Sequence, residues 1–397
     1  MLKTIAELPV SGKRVLVRAD LNVPLDGGRV ADDTRITASL PTLTELAARG
    51  AKVIVCAHLG RPGGQPDQRY SLAPVAARLG ELLGRPVPLA ADTAGLSAQA
   101  AVGAMGPGDL VMLENLRFND EETSKDDAVR GGFAARLASL ADLYVGDGFG
   151  SMHRKHASVY DVALLLPHAA GHLVQAEVAA LSRLTGQIRR PYVVVLGGAK
   201  VTDKFSAIGS LLPIADEILV GGAMVFPFLV AEGHKVGTSL LHTGQIGAAG
   251  DYLSRSGGKI ALPSDLIVAT GADAPAAGAP PEVVAAAAIP ADRMALDIGP
   301  TTARSFAASL HTAGTVFWNG PMGRFEVPAY ARGTRAVARA MAAGGAFTVI
   351  GGGDTVAAVH ELGFPDSAFG YISTGGGASL EFVEGKTLPG IAALEDR

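Results

Sequence analysis

Residues 193–204 read Val193-Val194-Val195-Leu196-Gly197-Gly198-Ala199-Lys200-Val201-Thr202-Asp203-Lys204. Four apolar residues in an unbroken run predict a strand buried on both faces, as in a parallel sheet. Gly197 and Gly198 end it, and a helix is expected to begin within the next few residues. Lys200 and Lys204 lie four apart, so on that helix they share one face. A strand, a glycine turn and a helix N-terminus leave several backbone N–H groups able to face an anion. The two lysines add full positive charges. A glycine-rich turn followed by a solvated helix face reads the same residues equally well.

The known phosphate loops do not fit this stretch. No G-x-x-x-x-G-K-[ST] string occurs in the chain. Gly146-Asp147-Gly148-Phe149-Gly150 begins like a dinucleotide G-x-G-x-x-G turn and fails at Ser151. The H-R-D loop of protein kinases is missing as well. If the chain handles nucleotide phosphates, it does so by another design.

A chain of 397 residues suggests two or three domains, each able to bury its own core. The 51 glycines suit a fold with many tight strand-to-helix turns. A net charge of −4 gives no general affinity for nucleic acid or a membrane surface, so any positive site must be a local concentration. The single cysteine, Cys56, sits in the apolar run Val53–Ala57 and has no intrachain partner, which favours a reducing compartment. No signal-peptide core follows Met1, and no segment is long enough to span a bilayer. The expectation is a soluble cytoplasmic protein.

In the first half, Val15–Val17 forms a strand core, beyond which Arg18, Asp20 and Asn22 share a face by the period of two. Asp32 or Asp33 caps the next helix, with Ile36, Leu40, Leu43 and Leu46 or Ala47 as its apolar stripe. Arg35 lies in the first turn of that helix, where a cation opposes the helix dipole and so has another job. Val53–Ala57 is a strand ending in His58-Leu59-Gly60-Arg61-Pro62, and a helix is predicted from Leu72 to Leu83. Leu110–Leu113 is a strand running into Glu114-Asn115-Leu116-Arg117-Phe118. A helix around Ala128–Leu140 leads to the strand Leu143–Val145, then to Gly146–Gly150 and Ser151–His156.

Strands alternating with helices imply a doubly wound parallel sheet, whose ligands bind beyond the carboxyl ends of the strands. Those ends carry Asp20, Asn22, His58, Arg61, Arg117 and Arg154, and Arg35 can reach the same rim. Convergent guanidinium groups suit a small ligand bearing phosphate and carboxylate. His153, Lys155 and His156 are read as local structure. Gly171–Thr185 reads as one helix with Val174, Val178, Leu181 and Leu184 on its stripe: a domain connector and pivot, or an ordinary crossover helix.

The second half keeps the rhythm. Ile218–Val220, Lys259–Leu262, Met294–Leu296, Val316–Trp318, Phe347–Ile350 and Tyr371–Ser373 read as further strands of the same kind, with an Ala- and Pro-rich surface excursion over Gly271–Pro290. Their ends present glycine, which lets a ligand approach main-chain N–H groups. Gly351-Gly352-Gly353-Asp354-Thr355 opens a helix after a buried strand and can hold phosphate oxygens. Asp354 is placed to reach a Mg²⁺ riding on them, or to cap its helix. Gly375–Gly377 is a further candidate anion nest.

Eight strings in this order resemble those of the phosphoglycerate kinase family, and the likeness covers essentially the whole chain. They are R-A-D-L-N-V-P (Arg18–Pro24), A-H-L-G-R-P (Ala57–Pro62), L-E-N-L-R-F (Leu113–Phe118), D-G-F-G (Asp147–Gly150), L-G-G-A-K-V-T-D-K (Leu196–Lys204), F-W-N-G-P-M-G-R-F-E (Phe317–Glu326), G-G-G-D-T (Gly351–Thr355) and S-T-G-G-G-A-S-L-E (Ser373–Glu381). The resemblance implies phosphoryl transfer between 1,3-bisphosphoglycerate and ADP, giving 3-phosphoglycerate and ATP. It implies an α/β chain of two doubly wound, Rossmann-like domains joined by a hinge helix. Residues 1–170 would bind phosphoglycerate, 171–186 connect, 187–379 bind Mg-nucleotide, and 380–397 pack back on the first domain.

By the same likeness the phosphoglycerate site would be Asp20, Leu21, Asn22, Arg35, His58, Leu59, Gly60, Arg61, Arg117 and Arg154. The nucleotide site would be Lys204, Ala295, Glu326 near the ribose, Gly352, Gly353, Asp354 and Thr355, with Asp354 on Mg²⁺. Arg35, Lys200, Gly375 and Gly376 would surround the phosphoryl group in flight. Ala295 stands where the family usually has a glycine lining the base pocket, and Ala223 replaces the third glycine of a G-G-G run, so a methyl is added at each. Arg324 stands where a smaller or apolar residue is expected. The partners implied are small molecules only, bound by a monomer.

These residue types suit that chemistry. A carboxylate nucleophile is ionised at pH 7 and needs no general base; the work is to bring two polyanions together and hold charge on the moving group. Substrates on separate domains make closure, which also keeps water out, the gating step. Two rivals are a nicotinamide-dependent dehydrogenase, which lacks its G-x-G-x-x-G, and a hinged phosphometabolite-binding protein, which leaves the second glycine rim and Asp354 unexplained.

Overall fold

The computed structural model describes residues 2–271 and 281–395. They form two compact units: residues 1–179 with 387–397, and residues 180–386. Each unit is built on its own parallel sheet.

The parallel sheet of the first unit has five strands: β1 (Arg14–Ala19), β2 (Lys52–Cys56), β3 (Leu110–Met112), β4 (Leu143–Asp147) and β5 (His168–Ala170). They pair in parallel in the order β3-β2-β1-β4-β5. β1 is central, and Val15 through Ala19 are fully buried. Val15 and Val17 on one face pack with Ile36, Leu43 and Leu46 of helix α1 (Thr34–Ala48) and with Val75 and Leu79 of α2 (Ala73–Leu83). Leu16 and Arg18 take the other face by the period of two. The strand order sets β1, β2, β3 and β4 side by side, so the loops carrying Asp20, His58, Arg117 and Arg154 leave the same edge.

Two local details differ from the sequence reading. Asp33 holds the capping position of α1 without a side-chain capping bond. Asp32 instead accepts from the Thr34 N–H at 2.8 Å, which leaves Asp33 to pair with Arg78 of α2 at 2.7 Å. Strand β5 lies in a stretch for which the sequence suggests no element, between His156 and the helix predicted from Gly171.

Helix α3 (His172–Ser182) follows β5, and the division between the units falls inside it. Its first turn is tied to β4. Asp147, at the carboxyl end of β4 and fully buried, accepts from the Leu173 N–H at 2.9 Å. Burial raises the Asp147 carboxyl to about 7.

The second unit has a six-stranded parallel sheet and a three-stranded antiparallel one. Its strands are β6 (Tyr192–Leu196), β7 (Glu217–Val220), β8 (Ile260–Ala261), β9 (Asp265–Ala269), β10 (Glu282–Ala285), β11 (Met294–Ile298), β12 (Thr315–Asn319), β13 (Phe347–Gly351) and β14 (Tyr371–Ile372). The parallel order is β8-β7-β6-β12-β13-β14. The opening stretch of the sequence analysis supplies β6, buried along its whole length. Val193, Val195, Val316, Trp318 and Ile350 pack against Phe306 and Leu310 of α4 (Pro300–Thr312) and Val337 and Met341 of α5 (Arg332–Ala343).

Met294–Leu296 is not part of this sheet, contrary to the sequence reading. β11 pairs antiparallel with β9, which pairs antiparallel with β10. A short apolar run looks alike in either setting, and its partner is set by tertiary contacts. Of the predicted excursion over 271–290, residues 272–280 lie outside the described residues, and 282–285 form β10. Among the described residues no helix is long and apolar enough to cross a membrane.

Replacing Asp147 with alanine strips the Leu173 N–H of its acceptor. The expected result is a loss of about 1–3 kcal/mol, read as a lower urea midpoint; an unchanged midpoint would contradict this tie between β4 and α3.

Candidate functional site

The strand-end loops of the first unit gather cations. Asp20 is 2 % exposed and accepts from Arg35 Nη1 at 2.9 Å. That pair holds the Arg35 guanidinium at the mouth of the sheet. Gly60 is held from both sides: its N–H donates to Asn22 Oδ1 at 2.9 Å, and its carbonyl accepts from Arg117 Nη1 at 2.7 Å. Its φ is 61°, and a Cβ there would lie 2.3 Å from the Tyr70 ring, so only glycine fits. Leu21 and Leu59 are buried; their side chains serve the core, and only their main chains can face a ligand. Arg61 and Arg154 are exposed, and Arg154 Nε donates to His153 Nε2 at 2.9 Å.

Several residues outside the expected set organise this rim. Asn115, fully buried, accepts from the Leu59 and Arg117 N–H groups and donates to the Leu59 and Tyr70 carbonyls. It thereby locks the turn that carries Arg117 to the loop that carries His58. Arg18 is fully buried and joins His58, Ser151 and Ser158. His156, read from sequence as local structure, is buried near Glu122, with Nδ1 3.8 Å from Oε1.

The electrostatics of the cluster are those of unbalanced positive charge. Burial, followed by Arg154 and Arg18, lowers Arg117 to about 10. Burial, followed by Arg18, Arg117 and Arg154, lowers His156 to about 3, and burial with Arg154 lowers His153 to about 4. The buried Arg117 Nε has no hydrogen-bond partner. An anion reaching this rim relieves both conditions at once.

The second unit offers a different site. A cavity of about 330 Å³ is lined by Gly198, Ala223, Phe226, Leu240, Ala295 and Met322, with Glu326 and Asp354 among its polar residues. That volume lies within the range of small-ligand pockets, with the Ala223 and Ala295 methyls already in place. Arg324 lies on the same lining, and its N–H is fixed on the Leu296 carbonyl at 2.8 Å.

Helix α6 (Val201–Leu211) begins one residue after Lys200. Lys200 is its cap, with φ −83° and ψ 77°, so the expected shared helical face with Lys204 does not form. Lys204 turns back instead and donates to the Gly197 carbonyl at 3.2 Å. Lys200 Nζ lies 3.9 Å from Asp354 Oδ2, both side chains being largely exposed. Asp354 is the second residue of α7 (Gly353–Glu361), whose cap is Gly352. The capping alternative for Asp354 is therefore not realised, and its carboxylate faces the cavity and Lys200.

The glycine ends have two distinct uses. A Cβ at Gly197 would lie 2.3 Å from the Pro321 carbonyl oxygen, and one at Gly320 would lie 2.0 Å from the Gly197 oxygen. These positions are glycine because two loops pack backbone to backbone. Gly353 and Gly376 have open space around them and leave main chain accessible. Thr355 is fully buried, and its hydroxyl accepts from the Gly320 N–H at 2.7 Å. Gly376 caps α8 (Gly377–Val383), and the Gly375 N–H donates to Ser373 Oγ at 3.2 Å. Sequence reasoning missed Asn319, nearly buried with an unpartnered Oδ1 beside Gly352. The signal was present: a lone amide closing an apolar strand.

A family model described as phosphoglycerate kinase matches residues 5–386. The phosphoglycerate kinase of Streptomyces avermitilis is 58% identical over 403 residues, covering 100% of each chain. That of Salinispora arenicola is 59% identical over 389 residues, covering 98% of this chain and 97% of its own. Among solved structures, phosphoglycerate kinase from Coxiella burnetii superposes with a TM-score of 0.86 at 37% identity, covering 99% of both chains. The enzyme from Pyrococcus horikoshii OT3 gives 0.87 at 30% identity, covering 99% and 98%.

An unfolded histidine titrates near 6.5, whereas folded His156 is held at about 3. Between those values only the unfolded chain takes the proton, so this contribution is complete above pH 6.5 and is lost as pH falls toward 3. Asp147, raised to about 7, acts in the opposite sense: its contribution is complete below the ordinary carboxylate range and lost as pH rises through 7. The test is therefore a difference. On going from about pH 7 to pH 5, the parent should lose more stability than His156→Gln; equal losses would count against the buried neutral imidazole.

Proposed function

The chain belongs to the phosphoglycerate kinase family, and from that premise we propose how its two units divide the work. The activity is reversible phosphoryl transfer from 1,3-bisphosphoglycerate to ADP, giving 3-phosphoglycerate and ATP, a glycolytic transfer in which a carboxyl group is the acceptor of the reverse reaction. In our reading the first unit holds the phosphoglycerate on Asp20, Asn22, Arg35, His58, Arg61, Arg117, Arg154 and the main chain of Leu21, Leu59 and Gly60. The second holds the nucleotide, with its base in the apolar cavity beside Ala295, Glu326 toward the ribose, and Lys204 and Gly352–Thr355 toward the phosphates. The observation that carries this division is the sorting of charge: a gathering of arginines in one unit, in which burial and the neighbouring guanidiniums lower Arg117 to about 10, and an apolar cavity edged by Lys200 and Asp354 in the other.

The chemistry asks little of proton transfer. The attacking carboxylate of 3-phosphoglycerate is ionised at neutral pH. What must be supplied is charge to hold the transferring group and positions that fix the two ends. Arg35, anchored by Asp20, supplies a guanidinium from the first unit. Lys200 supplies an ammonium, and the open main chain at Gly376 supplies an N–H donor, while Gly375, buried with its N–H on Ser373 Oγ, shapes the turn that presents it. Asp354 is a hard, largely exposed carboxylate on the cavity lining. Among the described residues no three His, Cys, Asp or Glu side chains gather into a metal cage. That donor set fits Mg²⁺, which takes one or two carboxylates and completes its shell with phosphate oxygens and water. Bound with the nucleotide, Mg²⁺ would neutralise charge on the phosphates. The reading extends to a monomer acting on small molecules in the cytoplasm, supported by the lone buried Cys56; a dimer mass in light scattering would contradict the monomer.

Arg35→Ala and Lys200→Ala should each lower kcat by on the order of 10² or more in a coupled assay for ATP formation. A change confined to KM would remove either from the transition state. Ala295→Leu, which fills the cavity, should raise KM for ADP and leave KM for the phosphoglycerate unchanged; equal KM values for both substrates relative to the parent would displace the base from this cavity.

A further inference from the structure

Behind the basic rim of the first unit runs a chain of buried hydrogen bonds that the transfer chemistry does not use directly. It begins at Glu122, which is fully buried in a short helical turn, Asp120–Thr123. Both carboxylate oxygens are taken by Ser158: Oε2 accepts the Ser158 N–H at 3.0 Å, and Oε1 accepts the Ser158 hydroxyl at 2.7 Å. A serine hydroxyl has one proton. Committed to Glu122, it turns its lone pairs toward Arg18, whose Nε donates to Ser158 Oγ at 2.9 Å. The far end of that guanidinium, Nη2, lies 2.9 Å from His58 Nδ1 and also donates to Ser151 Oγ at 3.3 Å.

Arginine has no acceptor, so the direction of the last bond is settled by inventory. His58 Nδ1 must hold a lone pair. The ring is then neutral, its one proton is on Nε2, and that N–H is the donor left for a ligand. A histidine that could flip or titrate would offer an anion either a donor or a lone pair; this one offers only a donor. Glu122 matters at the origin for two reasons. It orders the serine hydroxyl, and it places a carboxylate in the same buried region as Arg18, offsetting the cost of keeping that cation out of water.

We propose that Glu122 is a positioning residue for the phosphoglycerate site, acting through Ser158 and Arg18 to hold His58 as the Nε2–H tautomer that donates to the bound substrate. This rests on the reading of the basic rim as the phosphoglycerate site. The charged and titratable groups facing His58 are Arg18 on β1, Arg35 at the start of α1, Arg117 and His156. Burial, and then chiefly the Arg18 and Arg117 guanidiniums, hold His58 well below the ordinary histidine range. Breaking the relay at Ser158 removes the acceptor that aims the Arg18 guanidinium, and the bond that keeps a lone pair on His58 Nδ1 is loosened.

The experiment is nitrogen-15 NMR of the imidazole in the full chain, with and without 3-phosphoglycerate, alongside steady-state kinetics of the parent, Ser158→Ala, Ser158→Thr and Glu122→Gln. In the parent, Nδ1 should read as unprotonated and Nε2 as protonated from about pH 5.5 to 8, and 3-phosphoglycerate should shift the Nε2 signal. Ser158→Ala should mix the two nitrogen signals, raise KM for 3-phosphoglycerate on the order of tenfold, and leave kcat within about twofold. Ser158→Thr, which keeps the hydroxyl, should restore the parent pattern. Glu122→Gln sets an amide donor against Ser158 and should behave as Ser158→Ala, which covers the case in which the alanine variant does not fold. Parent-like His58 signals and KM in both Ser158→Ala and Glu122→Gln would overturn the relay. If 3-phosphoglycerate leaves the parent's His58 signals unmoved, the assignment of the site falls, and the relay's role with it.

Discussion

Like charges crowded at the end of a buried sheet are expensive, and the first unit is arranged around that constraint. Arg18, Arg35, Arg117 and Arg154 come together because four adjacent parallel strands end on one edge. Their mutual repulsion and partial burial are visible in the groups that titrate beside them: Arg117 is lowered to about 10 and His156 to about 3. Asp20 pairs with Arg35, and the buried Glu122 lies near Arg18. What remains is a standing demand for an anion. A site tuned in this way binds through charge it already holds, with its side chains fixed in advance, and so loses little entropy on ordering them.

The second unit meets the opposite problem. A nucleotide, the ligand proposed for it, needs a wide apolar surface for its base and main-chain donors for its phosphates. The strand ends accordingly carry glycine, though for two reasons. Gly197 and Gly320 are small so that neighbouring loops can pack together and form the floor of the cavity. Gly353 and Gly376 are small where nothing protein-made lies against them. One residue type thus builds the pocket and opens its rim, and only coordinates separate the two uses.

Much of this was legible in the sequence because parallel strands buried on both faces read as unbroken apolar runs. Val193–Leu196, Val53–Cys56 and Phe347–Ile350 announced themselves, and with them the loops that follow. The family strings then placed the site residues on those loops. What was not legible depends on distant partners. Met294–Leu296 looks like any other short apolar run, and its antiparallel pairing with Asp265–Ala269 is fixed only by the folded chain. Lys200 and Lys204 have helical spacing, yet the helix starts one residue later than their sharing a face requires. Arg18, Glu122 and Ser158 are far apart in sequence, and the local pattern that groups Arg18 with Asp20 and Asn22 says nothing of the other two. Asn115 and Asn319 stand inside the family strings, but the Asn115 amide bonds to Leu59 and Tyr70, far away in sequence, and the burial of Asn319 is likewise set by the folded chain.

The central claim is that the first unit carries a basic rim whose charge is balanced by phosphoglycerate. The direct measurement is the proton titration of His156 by NMR in the full chain, in the absence and presence of saturating 3-phosphoglycerate. Bound anion should offset the field of Arg18, Arg117 and Arg154 and raise the His156 value from about 3 back toward the ordinary histidine range. A titration that does not move with ligand would mean that the acid substrate is held elsewhere.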